Sequence, residues 1–223
     1  MTRVAFVRHG RAIVADNLCI GHTDVPLSPE GAESIKALAA SANLRDARIV
    51  SSDLRRATES ASIIARHPER SEGSAPRSSA VLHDRRLREM SFGDWDGRSW
   101  AEIERNASER FHHWMERWVD VAPPRGESAV DVGRRATEWI NETLTASNQI
   151  LIVVSHAGWI RAALCQLLGR NLSQMFEIPV DHAHATIVDV TPAGSTIVAA
   201  NLPSLDAVAS RPAPPVQAYQ PSP

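Results

Sequence analysis

Arg3-Val4-Ala5-Phe6-Val7-Arg8-His9-Gly10, close to the amino end of the chain, is the stretch that decides the fold. Its unbroken apolar run, Val4 to Val7, reads as a strand buried on both faces, as in parallel sheets covered by helices. A second such run, Ile150-Leu151-Ile152-Val153-Val154, ends in Ser155-His156-Ala157-Gly158. Each run therefore delivers a histidine, with a glycine behind it, to the carboxyl end of a buried strand. In an open α/β sheet that edge is where ligands bind. The tripeptide Arg8-His9-Gly10 is a weak signal by itself, and its position at a strand end gives it weight.

Outward from these two strands, strand-like and helix-like segments alternate. Ser28 is a candidate cap with Pro29 in the first turn of a helix whose apolar spacing runs through Ile35, Leu38 and Ala39. A strand from Ala47 to Ser51 leads to a helix opening at Ser52-Asp53 and reaching about Ala65. Another strand near Ala80 to His83 precedes an arginine-rich turn. The stretch from Asp94 to Pro124 holds Trp95, Trp100, Trp114 and Trp118 among many charges, and reads as a mostly helical insertion. Helices follow from Asp131 to Ala146 and from Gly158 to Leu168. Thr186 to Val190 and Thr196 to Ala200, split by Pro192-Ala193-Gly194, read as a closing strand pair. The expected architecture is an α/β three-layer sandwich with a mostly parallel central sheet and a helical lid insertion. His67 to Ser79 lacks apolar periodicity and reads as a lengthened loop. From Ser204 onward Pro, Ala and Ser dominate, so a domain is expected over 1–203 and a disordered tail over 204–223.

A length of 223 residues suits one such domain. The net charge of −2 offers no basic surface for nucleic acid. No apolar run approaches the roughly 18 residues of a membrane span. Cys19 and Cys165 form no pattern, and a cytoplasmic location is expected. Of 24 basic residues only Lys36 is lysine, which fits neither a Walker-type phosphate loop nor a Schiff-base site. His112, His113, His182 and His184 lack the clustered acidic or thiolate spacing of a metal centre, so neither metal nor other cofactor is expected. His182, following Val180-Asp181 near the sheet edge, is a candidate for the rim of the site.

The residue types at the sheet edge suit phosphate chemistry. A neutral imidazole can attack phosphorus, and neighbouring guanidinium groups keep it neutral. Arg8 adjoins His9, and Arg55-Arg56 open the helix after another strand. Phosphoryl transfer spreads charge over the equatorial oxygens, which rigid arginine forks match better than lysine does. Helix N-termini at Asp53 and Gly158 are expected to add backbone N–H groups. Glu89, in Leu87-Arg88-Glu89-Met90, is the best-placed acid for protonating an alkoxide leaving group.

Six motifs occur in one order: Val7-Arg8-His9-Gly10; Asp24-Val25-Pro26-Leu27-Ser28-Pro29-Glu30-Gly31; Ser51-Ser52-Asp53-Leu54-Arg55-Arg56-Ala57; Leu87-Arg88-Glu89-Met90-Ser91-Phe92-Gly93-Asp94-Trp95-Asp96-Gly97; Pro124-Arg125-Gly126-Glu127-Ser128; and Val154-Ser155-His156-Ala157-Gly158. In these the chain, from about Arg3 to Asn201, resembles the histidine phosphatase superfamily with its phosphoglycerate-mutase-like fold. The resemblance implies catalytic roles for His9 as phosphorylated nucleophile and Glu89 as proton donor, later base for water. It implies a phosphate pocket of Arg8, Arg56 and His156, with Arg55 pointing elsewhere, and a small phosphomonoester as the partner. Mutase-like members usually carry Glu-Thr after Arg-His-Gly and an asparagine three residues on. Arg11, Ala12 and Ala15 stand there instead, which favours hydrolysis and leaves open whether Asn17 supplies the missing contact. Gly21-His22 ahead of Pro26-Leu27-Ser28, the stretch Glu89 to Trp95, and Trp114-x-x-x-Trp118 are most similar to the α-ribazole phosphatase branch, which acts in cobalamin synthesis. A lid tryptophan is then expected to stack on the flat base of α-ribazole 5′-phosphate. A broad sugar-phosphate or nucleotide phosphatase, a mutase, and a catalytically silent interaction module stand as alternatives.

Overall fold

The computed structural model describes residues 1–15, 17–40, 42, 44, 47–66, 81–144 and 149–209. Strands β1 (Thr2–Arg8), β2 (Ala47–Ser51), β3 (Leu82–His83), β4 (Ile150–Ser155), β5 (Ala185–Thr191) and β6 (Gly194–Leu202) form one sheet. Their order is β3-β2-β4-β1-β5-β6. The four strands on one side are parallel, and β5 and β6 add an antiparallel pair.

The buried runs split by alternation, as a strand covered on both faces must. Ala5, Val7, Ile152 and Val154 face α1 (Pro29–Ala39) and α2 (Arg55–Ala65), packing with Ile35, Leu38, Ala61 and Ile64. Val4, Phe6, Leu151 and Val153 face α4 (Ala129–Thr143) and α5 (Ala157–Leu168), packing with Trp139, Trp159 and Ile160. Three layers result, as expected. Ser28 caps α1 by accepting the Gly31 N–H, and Ser128 with Asp131 closes a capping box on α4.

Several expected boundaries differ. Helix α2 starts at Arg55 rather than Ser52-Asp53, because the Asp53 carboxylate is engaged by both Nε and Nη2 of Arg88 at 2.7 Å. Helix α4 begins at Ala129, two residues before Asp131, because Ser128 is the cap. The expected loop at 67–79 lies outside the described residues. The tail expected from Ser204 instead begins with a helical turn, α6 (Asp206–Ala209). Leu205 and Val208 are buried in the α1 layer, and the Leu205 N–H bonds the Leu38 carbonyl. Residues 210–223 lie outside the described residues.

The insertion is carried by α3 (Trp100–Arg117), whose regular geometry breaks at Ala107. Trp95, Ile103 and Trp114 form its own buried cluster with Cys19, flanked by Phe92, Trp100, Phe111 and Trp118. Trp100 and Trp114 stack at 5.9 Å. These tryptophans hold the insertion together chiefly by contacting one another, and Trp95 and Trp114 are too buried to meet a ligand. Among the described residues no helix is long and apolar enough to cross a membrane.

Candidate active site

The parallel register places Arg8 opposite Ser155, so the residues that follow, His9 and His156, leave the sheet side by side. Their rings meet edge to face with centroids 4.9 Å apart. The ladder continues past the strand ends, with the His9 N–H on the Ser155 carbonyl at 3.1 Å and the Ser52 N–H on the Val154 carbonyl at 2.9 Å. Gly10 donates its N–H to Oγ of Ser60 on α2 and lies against Gly31 so closely that any β-carbon would collide with backbone. The loop carrying His9 is thus clamped between two helices.

His9 is buried, and its partners assign the tautomer. Nδ1 meets the Gly10 carbonyl at 2.6 Å and must carry the proton. Nε2 accepts from Nε of Arg56 at 3.2 Å, so its lone pair points into the site. Burial, then the Arg56 charge, lowers the pKa of His9 well below that of free imidazole. His156 is held neutral by burial, then by its neighbours His9 and Arg56. Its Nε2 pairs with Ser52 Oγ at 2.9 Å, while its fully buried Nδ1 has no partner.

Arg56 is one of the largest fully buried side chains. Its amino groups donate to the carbonyls of Thr23 and Gly21 at 2.9 and 2.7 Å. The 21–23 turn is itself pinned by Asp96, which accepts the N–H groups of Gly21, His22 and Thr23 and the Thr23 hydroxyl. Arg8 anchors one amino group on the Val180 carbonyl at 2.8 Å, leaving a buried Nε unpartnered. Arg55 pairs with Glu59 on the exposed side of α2.

Glu89 lies across the site. One oxygen accepts the Met90 N–H at 2.9 Å and the other the Gly158 N–H at 3.2 Å. Helix α5 starts at Ala157 rather than Gly158, and its free amide therefore meets a carboxylate of the protein itself. A β-carbon at residue 158 would strike Glu89, so glycine there permits the approach. Asn17 occupies an exposed turn, where its carbonyl accepts the Trp100 N–H.

The histidine phosphatase superfamily (branch 1) matches residues 4–203. The chain belongs to the histidine phosphatase superfamily. It is similar to the putative phosphoserine phosphatase 2 of Hydrogenobacter thermophilus, 28% identical over 204 residues (90% of this chain, 96% of the relative). It is also similar to glucosyl-3-phosphoglycerate phosphatase of Mycolicibacterium vanbaalenii, at 33% over 192 residues (81% and 76%). A third relative is the adenosylcobalamin/alpha-ribazole phosphatase of Salmonella typhimurium, at 27% over 205 residues (89% and 96%). Among solved structures, a putative alpha-ribazole-5′-P phosphatase from Escherichia coli superimposes with a TM-score of 0.80 at 25% identity, covering 91% of this chain and 97% of the other.

In this histidine phosphatase the fold adds residues that the motifs leave out. His182, a rim candidate, meets the His9 ring at 5.4 Å, and burial, then Arg8 and Arg11, pushes its pKa down to about 4. Arg135 on α4 donates to the carbonyls of Arg86, Arg88 and Glu89 and pairs with Glu127, fixing the segment that carries Glu89. His22 Nε2 lies 2.8 Å from the Glu89 carbonyl. Arg161, one turn beyond Gly158 on α5, donates from Nε to the Ile178 carbonyl at 2.9 Å. Among the described residues no three His, Cys, Asp or Glu side chains are grouped to hold a metal ion.

The three neutral histidines give stability a defined pH dependence. Unfolded, each titrates near pH 6.5, whereas folded each resists protonation. Below about pH 6.5 the unfolded chain takes up protons that the folded chain refuses, so stability falls as pH drops toward 4. Thermal melts of the wild type and His182→Gln between pH 7 and 4.5 should show a shallower decline for the variant. Identical slopes would contradict the assignment for His182.

Proposed function

We propose that this chain is a phosphomonoester hydrolase that transfers the phosphoryl group to Nε2 of His9. The observation that carries this reading is the directed lone pair: Nδ1 is committed to Gly10, and Nε2 faces the buried Arg56. Around it stand two further buried nitrogens without a hydrogen-bond partner, Arg8 Nε and His156 Nδ1. Such groups are costly to bury unpaired, and the oxygens of a phosphate satisfy them. When phosphate enters, Arg56 Nε turns from His9 to an oxygen and the lone pair is released for attack.

In the first half-reaction the Nε2–P bond forms and the P–O ester bond breaks, while the Glu89 carboxyl gives its proton to the departing alkoxide. In the second, the Glu89 carboxylate removes a proton from water as its oxygen attacks phosphorus. The N–P bond breaks, and His9 and inorganic phosphate are returned. Arg8 and Arg56 supply the charge that stabilises the equatorial oxygens in both steps. Arg56→Lys keeps one charge but loses the fork that holds two carbonyls and faces His9. It is expected to lower kcat/KM on the order of 10²–10³-fold; a loss under fivefold in steady-state assays would contradict the role.

The ester assigned to the site is α-ribazole 5′-phosphate, supported by the likeness to the Salmonella relative and the Escherichia coli structure. The relatives named for phosphoserine and glucosyl-3-phosphoglycerate define the competing substrates. The test is kcat/KM on all three esters and ribose 5-phosphate. A hundredfold preference for α-ribazole 5′-phosphate, about 2.7 kcal/mol of differential transition-state binding, is the expected result. Flat rates or a preference for a carboxylate-bearing ester would contradict the substrate while leaving the chemistry at His9 intact.

A further inference from the structure

Residues 176–182 run outward from the nucleophile along one side of the site. His182 touches the His9 ring, the Val180 carbonyl anchors Arg8, and the Ile178 carbonyl anchors Arg161. At the outer end the Arg161 guanidinium lies over the Phe176 ring, 5.5 Å from its centroid. Trp118, from the end of the insertion, meets Phe176 at 4.7 Å and 63°. Among the described phenylalanine, tryptophan and tyrosine side chains Phe176 alone is exposed, at 60%.

A single exposed apolar side chain needs no explanation. This one differs because it lies under the Arg161 guanidinium and meets a half-buried tryptophan edge to face, while Arg161 Nε is itself fixed on the Ile178 carbonyl. Arg161 thereby ties the ring to the segment that leads back to His182 and the nucleophile. What the group offers is a planar, polarisable surface of guanidinium and aromatic ring. We propose that Arg161, Phe176 and Trp118 form the leaving-group subsite, and that it accepts a flat aromatic ring carried by the phosphate ester. The inference rests on the phosphomonoesterase reading and specifies its substrate class. It assigns the stacking surface to Phe176 and Trp118, with Trp95 and Trp114 left in the core of the insertion.

The test compares α-ribazole 5′-phosphate with ribose 5-phosphate, which share the same leaving oxygen and differ in the base. The wild type should prefer the ring-bearing ester. In Phe176→Ala the ratio of the two kcat/KM values should fall about tenfold, the scale of one lost stacking contact, whereas Phe176→Tyr should retain it. Equal wild-type rates on both esters would overturn the inference together with the α-ribazole 5′-phosphate assignment; an unchanged ratio in Phe176→Ala, or an equal fall in Phe176→Tyr, would overturn the inference alone. So would a loss in Arg161→Gln confined to phosphoserine, which would assign the guanidinium to a carboxylate. Hydrolysis of neither ester by the wild type would overturn the phosphomonoesterase reading, and this inference with it.

Discussion

Replacing His9 by alanine should lower kcat on the order of 10⁴–10⁶-fold, the scale on which enzymes lose a covalent nucleophile. The arginines and His156 remain in the variant and still attract phosphate, but the atom that forms the bond to phosphorus is gone. The fold should survive, because the His9 side chain packs among polar groups and water can fill the space it leaves. Circular dichroism and a thermal melt establish that point, and steady-state assays with quantified phosphate release establish the rate. A His9→Ala protein that retained activity within tenfold of wild type would remove His9 from the chemistry.

Glu89→Gln should separate substrates by their leaving groups. The amide keeps the shape of the side chain and can accept from one of the Met90 and Gly158 N–H groups, leaving the other without an acceptor, but it cannot deliver a proton. Alkyl esters, whose alkoxides are poor leaving groups, should lose on the order of 10²–10⁴-fold in kcat/KM. Nitrophenyl phosphate departs without protonation and should lose far less in the phosphorylation step. Equal losses on the two substrates would exclude Glu89 as the acid and leave it as the cap of α5.

The parts of the fold visible in the sequence are those written in local patterns. Val4 to Val7 and Ile150 to Val154 are apolar on consecutive positions because both faces of β1 and β4 are covered. That pattern places His9 and His156 at one sheet edge, and the register brings them together. Ser28 caps its helix, since the serine, the proline and the spacing agree. Asp53 did not cap α2, because a carboxylate has several possible partners and Arg88 engages it from a distant segment. The two apolar residues Leu205 and Val208 were hidden in a window rich in Pro, Ala and Ser, yet spacing of three is enough to dock one helical turn.

The site was legible where it follows strand ends and hidden where it depends on packing. Arg135 reaches Glu89 across 46 positions, and no local pattern marks it. Arg161 had a signal, since it lies three residues after Gly158 and so on the same side of α5. A ligand contact is expected of a lid tryptophan because four are concentrated in one stretch, but Trp95, Trp100 and Trp114 pack on one another, while Trp118 reaches Phe176.

The central claim is a covalent phosphohistidine at His9, and rapid-quench trapping tests it most directly. Wild-type protein mixed with ³²P-labelled phosphomonoester should yield, within one turnover, an acid-labile and alkali-stable label. Peptide mapping should place that label on His9, and His9→Ala should carry none. Turnover without any trapped label under conditions that preserve phosphoramidates, or a label on another residue, would contradict the account.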